Sequence, residues 1–284
     1  MELEANSYPL ISVVVPAYNA ETRIASAMEA IIAQDYPNIE IIVVNDASTD
    51  ATEEIVRRAL TNCGRPFTII NHEKNRGETA SRNTGMDAMK GEFVWFLDAD
   101  DMAEKNLVSV LYALIEKYQC DVSFCGYRNV YEDGSPDVLN HIELGAPFLR
   151  SGEEILSLRV FHKVDIPVWG ILFRKQFLLE NGLRFHEGCT AGGDIEFLLK
   201  AFCRVRKAAF TPDCLHIYVH HAGMGSIQDN NTKEKQLRRY RDNTGGELRA
   251  AQYLIEHAPS KRIKELEAHF LLPQTLIRRF TLCA

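Results

Sequence analysis

The 284-residue chain has no G-x-x-x-x-G-K-[ST] loop, no G-x-G-x-x-G after its first apolar run, no G-x-S-x-G and no H-E-x-x-H. These absences remove the main support for an ATPase, a dehydrogenase, an α/β-hydrolase and a zinc hydrolase. The seven cysteines, Cys63, Cys120, Cys125, Cys189, Cys203, Cys214 and Cys283, are odd in number and scattered, with no C-x-x-C pair. Neither a zinc cage nor a disulfide framework is expected, and free thiols in a reducing compartment are. No apolar run approaches the ~20 residues that cross a bilayer. Residues 1–10 carry Glu2 and Glu4 and lack an apolar stretch of signal-peptide length. A soluble, cytoplasmic protein is the expectation. A basic face is missing too: the net charge is -7, so no nucleic-acid partner is expected. A nucleotide ligand stays compatible with that charge, because a metal ion neutralises a diphosphate locally.

The first hundred residues alternate short apolar runs with amphipathic stretches. Strands are expected at 10–15, 39–44, 67–70 and 93–97, and helices at 21–34, 52–60 and from about 78 to 90. Continuous apolar strands separated by such helices predict an α/β fold with a mostly parallel central sheet flanked by helices. Ligands of such sheets bind beyond the carboxyl ends of the strands. Polar residues follow three of those ends: Pro16-Ala17-Tyr18-Asn19, Asn45-Asp46 and Asp98-Ala99-Asp100-Asp101. All three are expected on one rim. Beyond residue 101 the pattern predicts a helix at 104–118, a strand at 122–127, a hairpin turn at Asp133-Gly134, elements at 168–174 and 215–220, and a helix at 194–204. From residue 232 the composition is polar and helical. No internal repeat is visible.

Three carboxylates within four positions, Asp98 to Asp101, repel one another unless a cation compensates. A D-x-D pair on extended chain projects to one side. That suits a hard divalent ion that completes its shell with phosphate oxygens and water. One of Asp100 and Asp101 could instead cap the following helix. Asp46 directly follows a buried strand and can accept a hydrogen bond from a base edge, whereas Asp50 reads as the start of a helix. Arg82 is either an exposed helix residue or a diphosphate partner, for which a guanidinium is well shaped. Asp194, after two glycines, reads as a helix N-cap. His220 and His221 form a pair in a loop and by themselves indicate little.

Taken in order, these motifs resemble glycosyltransferase family 2, the large inverting family with the GT-A fold, in its bacterial form. The matching segments are 13–21, 43–50, 77–85 and 97–101, with Asp194 at the position of an E-D motif; the resemblance spans roughly 8–226. It implies a Rossmann-like GT-A domain at 1–226 with a C-terminal helical extension at 227–284. It implies transfer of a sugar from a nucleoside-diphosphate sugar, usually a UDP-sugar, to a hydroxyl acceptor, glycan or lipid-linked. The residue roles it implies are Pro16, Ala17, Tyr18 and Glu21 around the nucleotide, Asp46 on the base, Arg82 at the ribose or diphosphate, and Asp98 and Ala99 at the ribose or sugar. Asp100 would ligate Mn2+ or Mg2+ with His221 approaching the metal or diphosphate, Trp169 would lie near the acceptor, and Asp194 would be the general base. The chain departs from the family at Asn45, where Asp is usual, and at Gly193, where Glu is usual. The second departure leaves open a nucleotide-sugar-binding protein without full catalysis. A sugar nucleotidyltransferase is disfavoured, because its Gly-rich loop with Arg and Lys is absent after the first strand. Arg238, Arg239, Arg241, Arg278 and Arg279 offer a peripheral contact with anionic lipid, against the plainer reading of a solvated helix.

Overall fold

The computed structural model describes residues 8–145, 148–160, 163–221, 233–257 and 260–261. The elements begin with β1 (Ile11–Ala17), α1 (Ile24–Ile32), β2 (Ile39–Asn45), α2 (Thr52–Leu60), β3 (Phe67–Asn71), α3 (Glu78–Ala88) and β4 (Phe93–Phe96). Next come β5 (Met102–Ala103), α4 (Leu107–Tyr118), β6 (Val122–Tyr131), β7 (Val138–Asn140), β8 (Leu149–Arg150) and α5 (Gly152–Val160). A 3-10 turn (Val168–Gly170), β9 (Ile171–Arg174), α6 (Lys175–Glu180), α7 (Gly193–Arg204), β10 (Ala208–His220) and α8 (Lys233–His257) complete the described chain.

One sheet carries these strands in the order β3-β2-β1-β4-β9-β6-β10-β5. The first four are parallel, as their continuous apolar character predicts. Beyond β4 the sheet is mixed: β9 is antiparallel to both β4 and β6, and β10 is parallel to β6. The Asp133-Gly134 turn joins β6 to antiparallel β7, with Gly134 in the left-handed region at φ +82°. The stretch at 168–174 is a turn leading into β9.

Alternation along β1 builds both layers of the core. Val14 faces a cluster with Ile42, Val44, Phe96 and Phe197, whereas Val13 and Val15 face another with Ile24, Met28, Ile41 and Trp95. Every residue of β1 and β2 is buried, so both faces are covered by helices. β1 runs on past its expected end at residue 15, through Pro16 to Ala17. Pairing with β4 ends at Val14, so the missing proline N–H breaks no hydrogen bond on that side.

α8 packs on α7. Ala250 and Leu254 enter the core cluster that holds Phe197, and Arg249 donates two hydrogen bonds to the buried Glu196 carboxylate, at 2.8 and 3.0 Å. Among the described residues no helix is long and apolar enough to cross a membrane. Arg238 and Arg241 are exposed on α8; Arg278, Arg279 and Cys283 lie outside the described residues.

Candidate functional site

The carboxyl ends of β1, β2 and β4 open onto one rim, because the three strands are parallel and adjacent. The loops after β1 and β2 are laced together there. Asn19, at φ +45°, accepts from Thr49 N through Oδ1 at 2.9 Å, and its own N–H donates to Ser48 Oγ at 3.0 Å. Glu21 Oε2 accepts from Ala51 N at 3.0 Å, while Asp50 accepts from Glu21 N at 3.1 Å and from Thr52 N at 3.0 Å. Asp50 thus does more than start α2: it ties the two loops. Pro16 and Ala17 are buried at the end of β1, and Tyr18 stands exposed beyond them.

Asp46 is buried and fixed by donors from a third loop. Oδ1 accepts from Arg76 N at 2.9 Å and Oδ2 from Gly77 N at 2.7 Å; Asp46 N donates to Ala17 O at 2.8 Å. Gly77, at φ +87°, turns the chain into α3, so Asp46 also holds the start of that helix. The departure at Asn45 has a local reason. Its Nδ2 donates to Asn71 Oδ1 at 2.9 Å, and Asn71 Nδ2 donates to Glu53 at 3.1 Å. An aspartate at 45 would set acceptor against acceptor.

Arg82 is a buried residue of α3, not a surface one. Its Nη2 donates to Asp98 Oδ1 at 2.6 Å and pairs with Glu78, and the guanidinium lies over the Phe185 ring. Burial opposes its charge, but Glu78, Asp98 and Asp194 outweigh that and raise its pKa. Glu78 feels the reverse. Arg82 pulls its pKa down, yet desolvation and the Asp98, Asp194 and Asp100 charges push it up to about 7. Asn83, next in the same motif, brackets the backbone of Phe185 with two hydrogen bonds and so anchors α3.

The acidic run separates by environment. Asp98 faces Arg82. Asp100 is partly open and meets Arg23 at 3.4 Å. Desolvation and the Asp98 charge raise its pKa, and Arg23 and His221 offset only part of this. His221 Nε2 lies 3.4 Å from the Asp100 carbonyl oxygen, and its Nδ1 lies 2.8 Å from Glu132. His221 and Asp100 are therefore neighbours. Asp101 is no helix cap: α4 begins at Leu107 with Asn106 before it. Asp101 is instead fully buried, 3.0 Å from His216 Nε2, and accepts from Val219 N at 3.2 Å. It fastens β10 to the end of the acidic run. Desolvation raises the Asp101 pKa well above its ordinary value and lowers that of His216 well below.

Trp169 stacks on His216 with ring centroids 3.7 Å apart and meets Tyr127 edge-on. It is buried, so Tyr127 and Tyr218 present the more open aromatic surface of that stack. Asp194 sits inside the first turn of α7, whose N-cap is Gly192 at φ +73°, so it is not the expected cap; its side chain makes no capping hydrogen bond, and no donor to it is found among the described residues. The neighbouring Gly193 packs against Thr79 in the first turn of α3, and the Asp194 charge raises the pKa of both Glu78 and Arg82. Gly193 is closely packed: a Cβ there would lie 2.4 Å from Thr79 Cγ2 and 2.9 Å from Cys189 Sγ.

The sequence motifs did not single out Glu78, His72 or His216. Glu78 lies inside the G-x-x-x-x-R-N segment, and His72 follows β3 on the same rim; those positions are the signals that could have found them. His216 could be found only through its tertiary contact with Asp101.

The mixed α/β sheet flanked by helices is the architecture of the GT-A fold. Residues 12–183 match the family described as Glycosyl transferase family 2, and the chain belongs to that family. It is 42% identical over 128 residues to the glycosyltransferase GlyA of Streptococcus pneumoniae, covering 43% of this chain and 17% of that protein. It is 30% identical over 212 residues to the uncharacterized glycosyltransferase EpsJ of Bacillus subtilis, covering 74% of this chain and 61% of EpsJ. The chain thus spans less than two thirds of either relative. Its fold matches residues 1–349 of S. aureus TarS, solved in complex with UDP-GlcNAc, with a TM-score of 0.77 at 23% identity, covering 92% of this chain and 71% of that one.

Proposed function

We propose that this glycosyltransferase moves a sugar from a UDP-sugar to a hydroxyl acceptor with inversion at the anomeric carbon. The observation that carries the reading is the meeting of Asp46, Arg82, Asp98 and Asp100 where the ends of β2 and β4 and the start of α3 adjoin, with Gly193 beside Asp194 packed on Thr79 of α3. The UDP-GlcNAc bound by the similar TarS fold supports the donor class. We assign it a role in glycan or polysaccharide assembly with a glycan or lipid-linked acceptor, a reading that the family membership supports.

The base contacts Asp46, and the ribose and diphosphate lie along Arg82, Asp98 and Ala99, with Pro16, Ala17, Tyr18 and Glu21 framing the nucleotide. The donor set at Asp100 fits a hard divalent ion: crowded carboxylates with raised affinity for positive charge, partly open, beside His221. Among the described residues no group of three His, Cys, Asp or Glu is arranged to hold a metal alone. Asp100, with His221 near it, would hold Mn2+ or Mg2+ together with diphosphate oxygens and water. When bound, such an ion supplies charge stabilisation to the departing diphosphate. Asp194, whose carboxylate no described donor occupies, accepts the proton of the acceptor hydroxyl as that oxygen attacks. The Trp169 stack and the tyrosines over it form the acceptor side. Residues 1–226 make up the catalytic unit, and 227–284 an extension docked through α8.

The test is transfer from a panel of UDP-sugars by wild type and Asp194→Asn. Loss of one general base lowers kcat by about 10²–10⁴-fold, with UDP affinity unchanged. Full transfer by Asp194→Asn sinks the base assignment. Donor binding without transfer by wild type across an acceptor panel favours a binding protein of this fold, the reading that Gly193 left open.

A further inference from the structure

The Asp46 carboxylate has a side-chain partner outside the family motifs. His72, the first residue after β3, is wedged between Asp46 and Thr84, with its side chain only 6% exposed. Its Nδ1 lies 2.6 Å from Asp46 Oδ1, and its Nε2 lies 2.9 Å from Thr84 Oγ1. The imidazole therefore ties the end of β2 to α3, the helix whose start Asp46 holds.

Counting donors sets the directions of the bonds at Asp46. Arg76 N–H and Gly77 N–H can only donate, so the Asp46 carboxylate accepts from both. His72 then donates Nδ1–H to Oδ1, and Nε2 shares a hydrogen bond with the Thr84 hydroxyl. A carboxylate has about four acceptor positions. Arg76 and His72 fill both on Oδ1, and Gly77 fills one on Oδ2. One position remains, on Oδ2.

We propose that His72 determines base specificity by positioning Asp46 and occupying the second acceptor position of Oδ1. The single unfilled acceptor position, on a side chain that is 3% exposed, matches the lone ring N–H of uracil. It does not match the adjacent N1–H and N2–H of guanine, which together require two carboxylate oxygens. The inference rests on Asp46 being the base contact.

The test measures binding of UDP and GDP, each with excess Mg2+, by calorimetry on the full chain. Wild type binds UDP at least about tenfold more tightly than GDP. His72→Ala weakens UDP about tenfold, the scale of one hydrogen bond to a charged group, and narrows the preference over GDP. His72→Asn, whose amide can replace Nδ1–H, stays within about threefold of wild type. His72→Gln, which reaches towards Thr84, behaves as Ala does. In transfer assays the change falls on KM and leaves kcat in place. If the Ala variant fails to fold, the Asn and Gln pair decides the matter alone. Equal UDP and GDP affinity in wild type overturns the proposal. So does unchanged UDP affinity in His72→Ala, or rescue by Gln and not Asn, when Asp46→Asn does weaken UDP. Unchanged UDP affinity in Asp46→Asn, or a wild type that binds neither nucleotide, overturns the base-site reading beneath it.

Discussion

Arg82 Nη2 lies 2.6 Å from Asp98 Oδ1, joining α3 to the end of β4 through a guanidinium that is 3% exposed. The same nitrogen pairs with Glu78, and Nε is buried with no hydrogen-bond partner among the described residues. One buried cation thus lies among three carboxylates, Glu78, Asp98 and Asp194, whose fields it partly cancels.

Removing that cation strands the acids. Arg82→Ala should cost about 1–3 kcal/mol, the scale of lost hydrogen bonds to charged groups, because Asp98 and Glu78 stay 25% and 51% exposed, and should abolish donor binding. Arg82→Lys keeps a charge but loses the planar fork, so it should retain more stability than donor affinity. Urea denaturation and UDP titration check both; a loss below about 1 kcal/mol in the Ala variant would contradict the buried-pair assignment.

The absence of Glu at position 193 is enforced by packing. Gly193→Glu should destabilise by about 1–3 kcal/mol, since its Cβ meets Thr79 Cγ2 and Cys189 Sγ below contact distance. Adding Thr79→Ala and Cys189→Ala should recover most of that loss, because the Thr79 Cβ itself stands 3.8 Å away. Thermal melts of the single and triple variants test this coupling; additive losses would refute it.

The buried Asp101–His216 pair predicts an unusual pH profile. His216 has a lowered folded pKa, so alone it would lose stability as pH falls below its unfolded value near 6.5. Asp101 has a raised folded pKa, so alone it would gain stability as pH falls towards its unfolded value near 3.9. Between about pH 4 and 6.5 the unfolded pair carries one proton on the imidazole and the folded pair one on the carboxyl, and the two dependences cancel. In His216→Gln only the Asp101 dependence remains. Its stability relative to wild type should therefore rise as pH falls, by up to about 1.4 kcal/mol per pH unit. Denaturant midpoints at pH 4.5 and 6.5 measure it; parallel profiles for the two proteins would rule it out.

The strand pattern predicted the parallel half of the sheet because continuous burial on both faces leaves a continuous apolar run, as in β1 and β2. The mixed half was less legible. β9 is four residues long and fits between β4 and β6 through pairings far apart in sequence. Asp46, Arg82, Asp98 and Asp100 stood out because strand ends and a helix start are locally encoded. Two roles could not be read that way. Asp101 resembled a cap until His216 and Val219, more than a hundred residues away, turned out to be its partners. Arg82 was balanced between surface and site until Phe185 and Asp98 closed over it.

The sequence by itself determined the order of elements, the shared rim and the acidic run, since these follow from periodicity and from polar residues placed after buried strands. Tertiary structure decided how the charges divide: which acid meets Arg82, which is buried against His216 and which stays partly open at Asp100. It also decided that Asn45 faces Asn71, that Thr79 occupies the space a side chain at 193 would need, and that His72 holds Asp46. The physical reason is that a carboxylate's role depends on its desolvation and its donors. Those come from residues brought together across the chain, which no local spacing records.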